Sequence, residues 1–385
     1  MDSRSCFIAT MQFEKIAPPL YEFGYWAATV RRWYKEGLQK TKGIPSYLAE
    51  GEGVWGFLED WRGKIPRFED LDKAIAFDKP LKEVPFHYWI YPEFDVMVIE
   101  EDEEKMLIVD EMGIKKRIRK SNDSIPEYIE WPVKDRKSWE KLKEERLNPL
   151  DPRRFPPDFQ ERIAQMRDRD YPLLLSYGPV GFFGSLRFLL GEVNLMIGYY
   201  DFPSFIKEII SHLADFWIQL WDKVFTMMKP DRPDCVFLWE DMSYKNGSLI
   251  SPHIFREFML PAYKRVTGFL RENGVDIIFV DTDGNCSELI PLFMEGGVTG
   301  LFPMEVAAGM KVEKVREWFP QLQIMGGVDK RSLAEGKITI DEEIERIRPV
   351  VKGGGYIPFV DHLVPPDVSF DNYVYFRKQL QEFSF

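Results

Sequence analysis

The run Val280-Asp281-Thr282-Asp283-Gly284-Asn285 puts two carboxylates two positions apart at the end of an apolar stretch. On an extended backbone, side chains at i and i+2 face the same way, so Asp281 and Asp283 would project into one space. Similar endings recur through the second half of the chain. Glu240 and Asp241 follow Cys235 to Trp239, Glu305 follows Val298 to Phe302, Asp329 follows Leu322 to Met325, and Asp361 with His362 follows Tyr356 to Val360. Carboxylates gathered within a few ångströms cannot all stay ionised without compensation. A divalent metal, basic partners such as Lys245, Lys330 and Arg331, or a proton retained by one member for general acid chemistry would supply it. Asp281, Asp283 and His362 offer oxygen and imidazole donors of the kind that suit zinc, manganese or iron(II).

Each of these residues also has an ordinary structural use. Asp283-Gly284-Asn285 is a common turn sequence, Glu305 could cap a helix or join a salt bridge, and His362 could be a satisfied hydrogen-bonding side chain. His87, His212 and His253 sit in settings that read as structural. It is the recurrence of acids at strand ends that argues for a site.

The elements that would position them follow a regular plan from residue 172 onward. Six short apolar runs, 172–177, 235–239, 276–280, 298–302, 322–325 and 356–360, alternate with helical segments. Ser204 to Met228 carries an apolar face through Ile209, Leu213, Trp217 and Leu220, and Ser251-Pro252 supplies a cap and first-turn proline before a helix over 253–269. Strands alternating with helices imply a parallel sheet. Acids at successive strand ends converge on one mouth if that sheet closes, which favours a (β/α)8 TIM barrel over an open sheet. Upstream, Tyr25, Trp26, Val30, Trp33 and Tyr34 have helical periodicity, so residues 1–60 read as an N-terminal helical extension packed on a barrel over 61–385. Alternating runs around the acidic segment Glu100 to Glu104 predict a β-hairpin insertion near 94–119. Ser121 to Pro157 is charged and interrupted by prolines, and reads as a link or cover.

Composition bounds the function. With 385 residues, 45% of them hydrophobic, the chain can bury a full core. A net charge of −12 argues against nucleic-acid or anionic-membrane partners. Three cysteines without metal-type spacing suit a reducing compartment, and with no secretory signal or long apolar run the expectation is a cytoplasmic protein. No phosphate-binding loop, dinucleotide fingerprint, serine-hydrolase elbow or His-Glu-x-x-His helix is present. Gly353-Gly354-Gly355 precedes a strand and reads as a turn rather than a phosphate loop.

The order and spacing of Gly247-Ser248-Leu249-Ile250-Ser251-Pro252, Phe255, Phe258 and Pro261, then Asp281 to Asn285, Pro303-Met304-Glu305, Gly326-Gly327-Val328-Asp329 and Asp361-His362 with Pro365-Pro366 resemble the uroporphyrinogen decarboxylase superfamily. Gly178-Pro179 fits the same pattern, and the match runs over about 170–385. The resemblance implies a (β/α)8 barrel and two kinds of activity: decarboxylation without a cofactor, or corrinoid-dependent methyl transfer using zinc. The arginine-rich motif with which the decarboxylases grip a polycarboxylate is missing here, and an acid-lined pocket would repel such a substrate. Where the methyltransferases use histidine and cysteines for zinc, this chain has Asp281, Asp283 and His362.

The leading expectation is therefore a methyltransferase or demethylase of a small methylated substrate, aromatic or a methylated amine, with a corrinoid protein as partner and a homodimer as the assembly to test for. Asp281, Asp283 and His362 would hold a zinc or other divalent metal. Glu240, Asp241, Asp283 and Glu305 would be catalytic, and Tyr177, Lys245, Asn285, Asp329 and Asp361 would bind substrate. The alternatives are a cofactor-independent decarboxylase or lyase, and a non-catalytic binding barrel.

Overall fold

A computed structural model describes residues 1–64, 66–121 and 126–383. Eight parallel strands lie side by side in chain order: β1 Leu58–Glu59, β2 Leu81–Glu83, β3 Leu173–Leu174, β4 Cys235–Trp239, β5 Ile277–Asp281, β6 Gly300–Phe302, β7 Gln323–Met325 and β8 Tyr356–Ile357. All six strands expected beyond residue 172 are present, and the sheet curls into the (β/α)8 barrel. The first two strands are too short to carry a periodicity, and β1 places the start of the barrel before residue 61.

Strand parity divides the core. Leu58, Leu81, Leu174, Phe237, Phe279, Phe302, Met325 and Ile357, one from each strand, fill the interior with Phe57 and Phe359. Their neighbours Val236, Leu238, Ile278, Val280 and Ile324 face the outer helices. The interior is thus a packed aromatic core, in which Phe237 lies 5.1 Å from Phe302 and 5.5 Å from Phe279 between ring centroids. Outside it, Pro203–Met228 buries the face that includes Ile209, Leu213, Trp217 and Leu220. The expected cap is also in place: Ser251 accepts the Ile254 N–H, and helix runs from Pro252 to Glu272 through a π-turn at Phe255–Met259.

The gap between β1 and β8 is sealed by an upstream segment. Tyr25 and Trp26, expected in a helix, instead belong to a strand, Gly24–Trp26, paired antiparallel with Gly53–Trp55 and bridged to Val364. The helix starts at Ala27 and ends at Lys35. Gly56 N–H donates to Phe23 O (3.1 Å) and Val364 N–H to Gly24 O (2.9 Å), tying the segment to both sides of the seam. Phe23 packs against Phe57 and Phe359. Behind it Glu22, fully buried, accepts N–H from Val360 (3.1 Å) and O–H from Tyr373 (3.1 Å), while Arg377 lies 3.9 Å away.

The expected hairpin exists as Met97–Glu101 against Lys105–Val109, and it is half of a four-stranded antiparallel sheet completed by Lys115–Arg119 and Glu127–Glu130. The cover segment contains a helix, Arg136–Arg146, capped by Asp135. Its residues 122–125 lie outside the described residues. No helix among the described residues is long and apolar enough to cross a membrane.

Candidate active site

At the C-terminal ends of the strands a cavity of about 410 Å³ is lined by Tyr177, Trp239, Asp241, Asp281, Asp283 and His362 from the barrel side. Its opposite wall comes from Phe23, the 48–55 segment, Lys64 and Pro66. Parity explains which acids arrive there. Ile277 and Phe279 point into the barrel, so Asp281, two residues on, caps the same interior row. On β4 the interior row is Cys235, Phe237 and Trp239, which turns Glu240 outward and Asp241 back inward.

Glu240 is accordingly buried away from the cavity. Its carboxyl accepts N–H from Phe182 (2.8 Å), Phe183 (2.6 Å) and Gly184 (2.9 Å) and O–H from Tyr263. It caps the helix Phe182–Leu190 from another part of the chain, where a carboxylate meets the positive end of the helix. The expected catalytic role does not suit that position.

The acids at this end of the barrel differ in how their charge is met. Arg187 donates to Asp241 Oδ2 (2.7 Å) and to its backbone O (2.6 Å), holding a residue whose φ is +42°. Lys330 is shared by Asp361 (3.1 Å) and Glu305 (3.8 Å). Asp281 has the Tyr177 hydroxyl donating to Oδ2, and Asp283 has His362 at 3.5 Å. Neither is ion-paired to lysine or arginine among the described residues. Burial, then the charge of Asp283, raises Asp281 well above the usual carboxylate range. Burial, reinforced by Glu305 and Asp241 and opposed by Lys330, pushes Asp283 up to about 7. Burial and then Lys330 bring His362 down to about 4, so its imidazole is neutral at pH 7. The pocket thus holds two carboxyls that keep protons where ordinary aspartates have lost them.

The remaining expected site residues support this arrangement from outside the cavity. Glu305 accepts Gly284 N–H (2.9 Å), fixing the loop that carries Asp283. Asp361 accepts Val306 N–H (2.9 Å) and pairs with Lys330. Asp329 caps the helix Lys330–Glu335 and pairs with Arg331 at 2.6 Å. Asn285 accepts from the N–H (3.1 Å) and hydroxyl (2.7 Å) of Ser287, an Asx turn that occupies its side chain. Lys245 is exposed at the tip of the hairpin Ser243–Tyr244 and Gly247–Ser248. Contact with substrate, expected for Lys245, Asn285, Asp329 and Asp361, is not what these positions offer, because none lines the cavity.

The expected metal set also fails on geometry. Among the described residues no group of three or more His, Cys, Asp or Glu side chains is placed to hold a metal ion. Asp281 is engaged by Tyr177, which leaves Asp283 and His362 as a pair. The donors do not fit a metal centre.

Several lining residues carry no chemical signature in the sequence. Phe23, Gly53, Val54 and Trp55 reach the cavity only because the 21–26 segment seals the barrel seam. Phe23 and Trp26 also hold the His362 ring, with centroids at 5.6 and 6.0 Å. Arg187 lies mid-helix in an apolar sequence, and nothing local marks it as the partner of Asp241.

The loop after β5 is tightly constrained. Gly284 has φ of +73°, and a Cβ there would sit 2.7 Å from backbone atoms of Ser243 and Tyr244. Gly284→Ala should therefore cost about 1–3 kcal/mol, measured by denaturant unfolding. An unchanged midpoint would mean that the loop yields freely.

The uroporphyrinogen decarboxylase (URO-D) family model matches residues 195–383, the part that holds β4 to β8 and all of these acids. No curated protein matches the chain. Among solved structures, a methyltransferase from Methanosarcina mazei is similar with a TM-score of 0.48 and 16% identity, over 71% of this chain and 76% of that one. A Listeria monocytogenes protein provisionally assigned as a vitamin-B12 independent methionine synthase is similar with a TM-score of 0.33 and 11% identity, over 59% and 70% of the two chains. Both likenesses are too distant to argue from.

Proposed function

We propose, from the premise that residues 195–383 form a uroporphyrinogen decarboxylase superfamily domain, that the protein is an enzyme that takes a methyl group from a small methylated substrate, with Asp283 as general acid. The observation that carries this reading is the pair Asp281 and Asp283, both held above the usual carboxylate range by burial, Asp283 at about 7, and facing a cleft walled by Phe23, Trp55 and Trp239. A methyl group leaves oxygen or nitrogen more readily when the atom left behind gains a proton as the bond breaks. An acid near 7 can give that proton and recover it within a turnover.

Each neighbour has a task in this reading. Tyr177 holds Asp281 in place, His362 orients the Asp283 carboxyl, and the aromatic walls take an aromatic or amine body and exclude water. A corrinoid carried by a partner protein would supply the methyl acceptor. The charge of the cleft favours a neutral or cationic substrate. Its one lysine or arginine among the described lining residues is Lys64, against Glu52, Asp241 and the charge that Asp283 begins to carry near pH 7, so a carboxylated substrate would enter against repulsion.

The test offers methylated aromatic ethers and methylated amines to the protein with cob(I)alamin as acceptor, following methylcobalamin by absorbance. Carboxylated analogues run in parallel for CO2 release. Methyl transfer is the expected result. Release of CO2 without methyl transfer would replace the proposal with decarboxylation.

A further inference from the structure

Beyond Trp55 and Tyr177 lies a second cavity of about 390 Å³, and these two residues with Lys64 line both chambers. None of its lining residues falls within the family match, since they lie between residues 55 and 179. Its wall includes Glu83, 4% exposed at the end of β2. Oε1 of Glu83 accepts the Tyr88 hydroxyl (2.9 Å), while Oε2, also buried, has no hydrogen-bond partner.

An orphaned carboxyl oxygen in a cavity wall needs an explanation. Asp60 faces the same carboxyl, and its oxygens already accept the N–H groups of Arg62 (3.0 Å) and Lys64 (2.8 Å). Burial, and then Asp60, push Glu83 up to about 8, with Tyr88 and Arg62 opposing. Glu83 accordingly keeps a proton facing Asp60. The basic side chains nearby are already engaged, because Glu93 pairs with Arg62 (3.1 Å) and Lys64 (2.7 Å). Glu111 adds a further acid to the lining, and burial lowers His87 to about 4, so it brings no positive charge at pH 7. Phe86, Tyr88 and Trp89 supply aromatic walls beside Trp55.

Aromatic faces with an excess of acid suit a cation whose charge is spread over methyl groups and needs no hydrogen-bond acceptor. We propose that this chamber binds a small organic cation, an alkylated ammonium group, seated against Glu83 and enclosed by Trp55, Tyr88 and Trp89. The ligand's charge takes the place of the Glu83 proton, which passes to solvent. The assignment does not depend on the reaction carried out in the neighbouring cleft.

Choline and its uncharged isostere 3,3-dimethylbutan-1-ol separate charge recognition from apolar filling. Titration calorimetry on the full chain should show choline binding at least about tenfold tighter than the isostere. Choline affinity should rise with pH through about 8, since the cation favours the ionised carboxyl, and its heat should vary with the ionisation enthalpy of the buffer. Glu83→Gln should remove about tenfold of the choline affinity, together with its pH dependence, and leave the isostere unchanged. Equal binding of the two probes, no binding of choline, or choline affinity unaltered in Glu83→Gln would each overturn the proposal. The comparison of probes on the unmodified protein decides the matter even if the variant does not fold.

Discussion

Asp283→Asn should lower kcat for methyl transfer by about 10²- to 10³-fold while making the protein harder to unfold above neutral pH. The amide keeps the shape of the side chain and its contact with His362, and loses only the transferable proton. The stability change follows from the same raised pKa. Asp283 is pushed to about 7 in the folded chain, against an ordinary value near 3.8. Its favourable contribution is complete below the unfolded value and is lost as pH rises through about 7, where the folded protein must hold a repelled charge. Asparagine has no such charge, so the melting temperature of the variant relative to the parent should be higher at pH 8 than at pH 5. In the parent, kcat should fall as pH rises through about 7, when the acid form is depleted. Paired steady-state kinetics and thermal melts at both pH values check the prediction. A variant that keeps full activity would remove Asp283 from the chemistry, and equal melting shifts at the two pH values would remove its raised pKa.

Glu240→Leu should act in the opposite way, through folding rather than chemistry. Three helix N–H groups and the Tyr263 hydroxyl converge on this buried carboxyl. Leucine fills part of the volume and leaves all four donors without an acceptor, at a cost of roughly 3–5 kcal/mol in total. Denaturant unfolding should show a large loss of midpoint. The fraction that remains folded should keep most of its kcat, because Glu240 faces away from the cleft. A stable but inactive protein would return Glu240 to the catalytic group.

The sequence makes the barrel legible because six of its strands are apolar runs, five of them closed by acids, with amphipathic helices such as Pro203–Met228 between them. β1 and β2 were not legible, since two or three residues carry no period. Within the site, Asp281 and Asp283 could be read from strand register alone. The same register, followed along Cys235, Phe237 and Trp239, also turns Glu240 outward, away from the acids that face the cleft. Asp329 and Asn285 were harder, because an acid or amide that caps its own turn has the same local sequence as one that faces a ligand. The wall formed by Phe23 and Trp55, and the hold of Arg187 on Asp241, depend on pairings between distant parts of the chain. No local pattern announces them.

The seal formed by residues 21–26 bears on how the protein is made. Gly24 meets Val364, Glu22 meets Val360, Tyr373 and Arg377, and Arg377 also donates to Tyr21 O, so the seam joins segments more than 330 positions apart. During synthesis the ribosome must deliver the chain through Arg377 before these contacts can form. Until then β1 has an open edge and Phe23, Phe57 and the interior aromatics lack their last layer. Such a late, long-range closure makes for slow folding and for a nascent chain with sticky surface exposed. The cleft shares that wall, so catalytic competence would wait for the same closure.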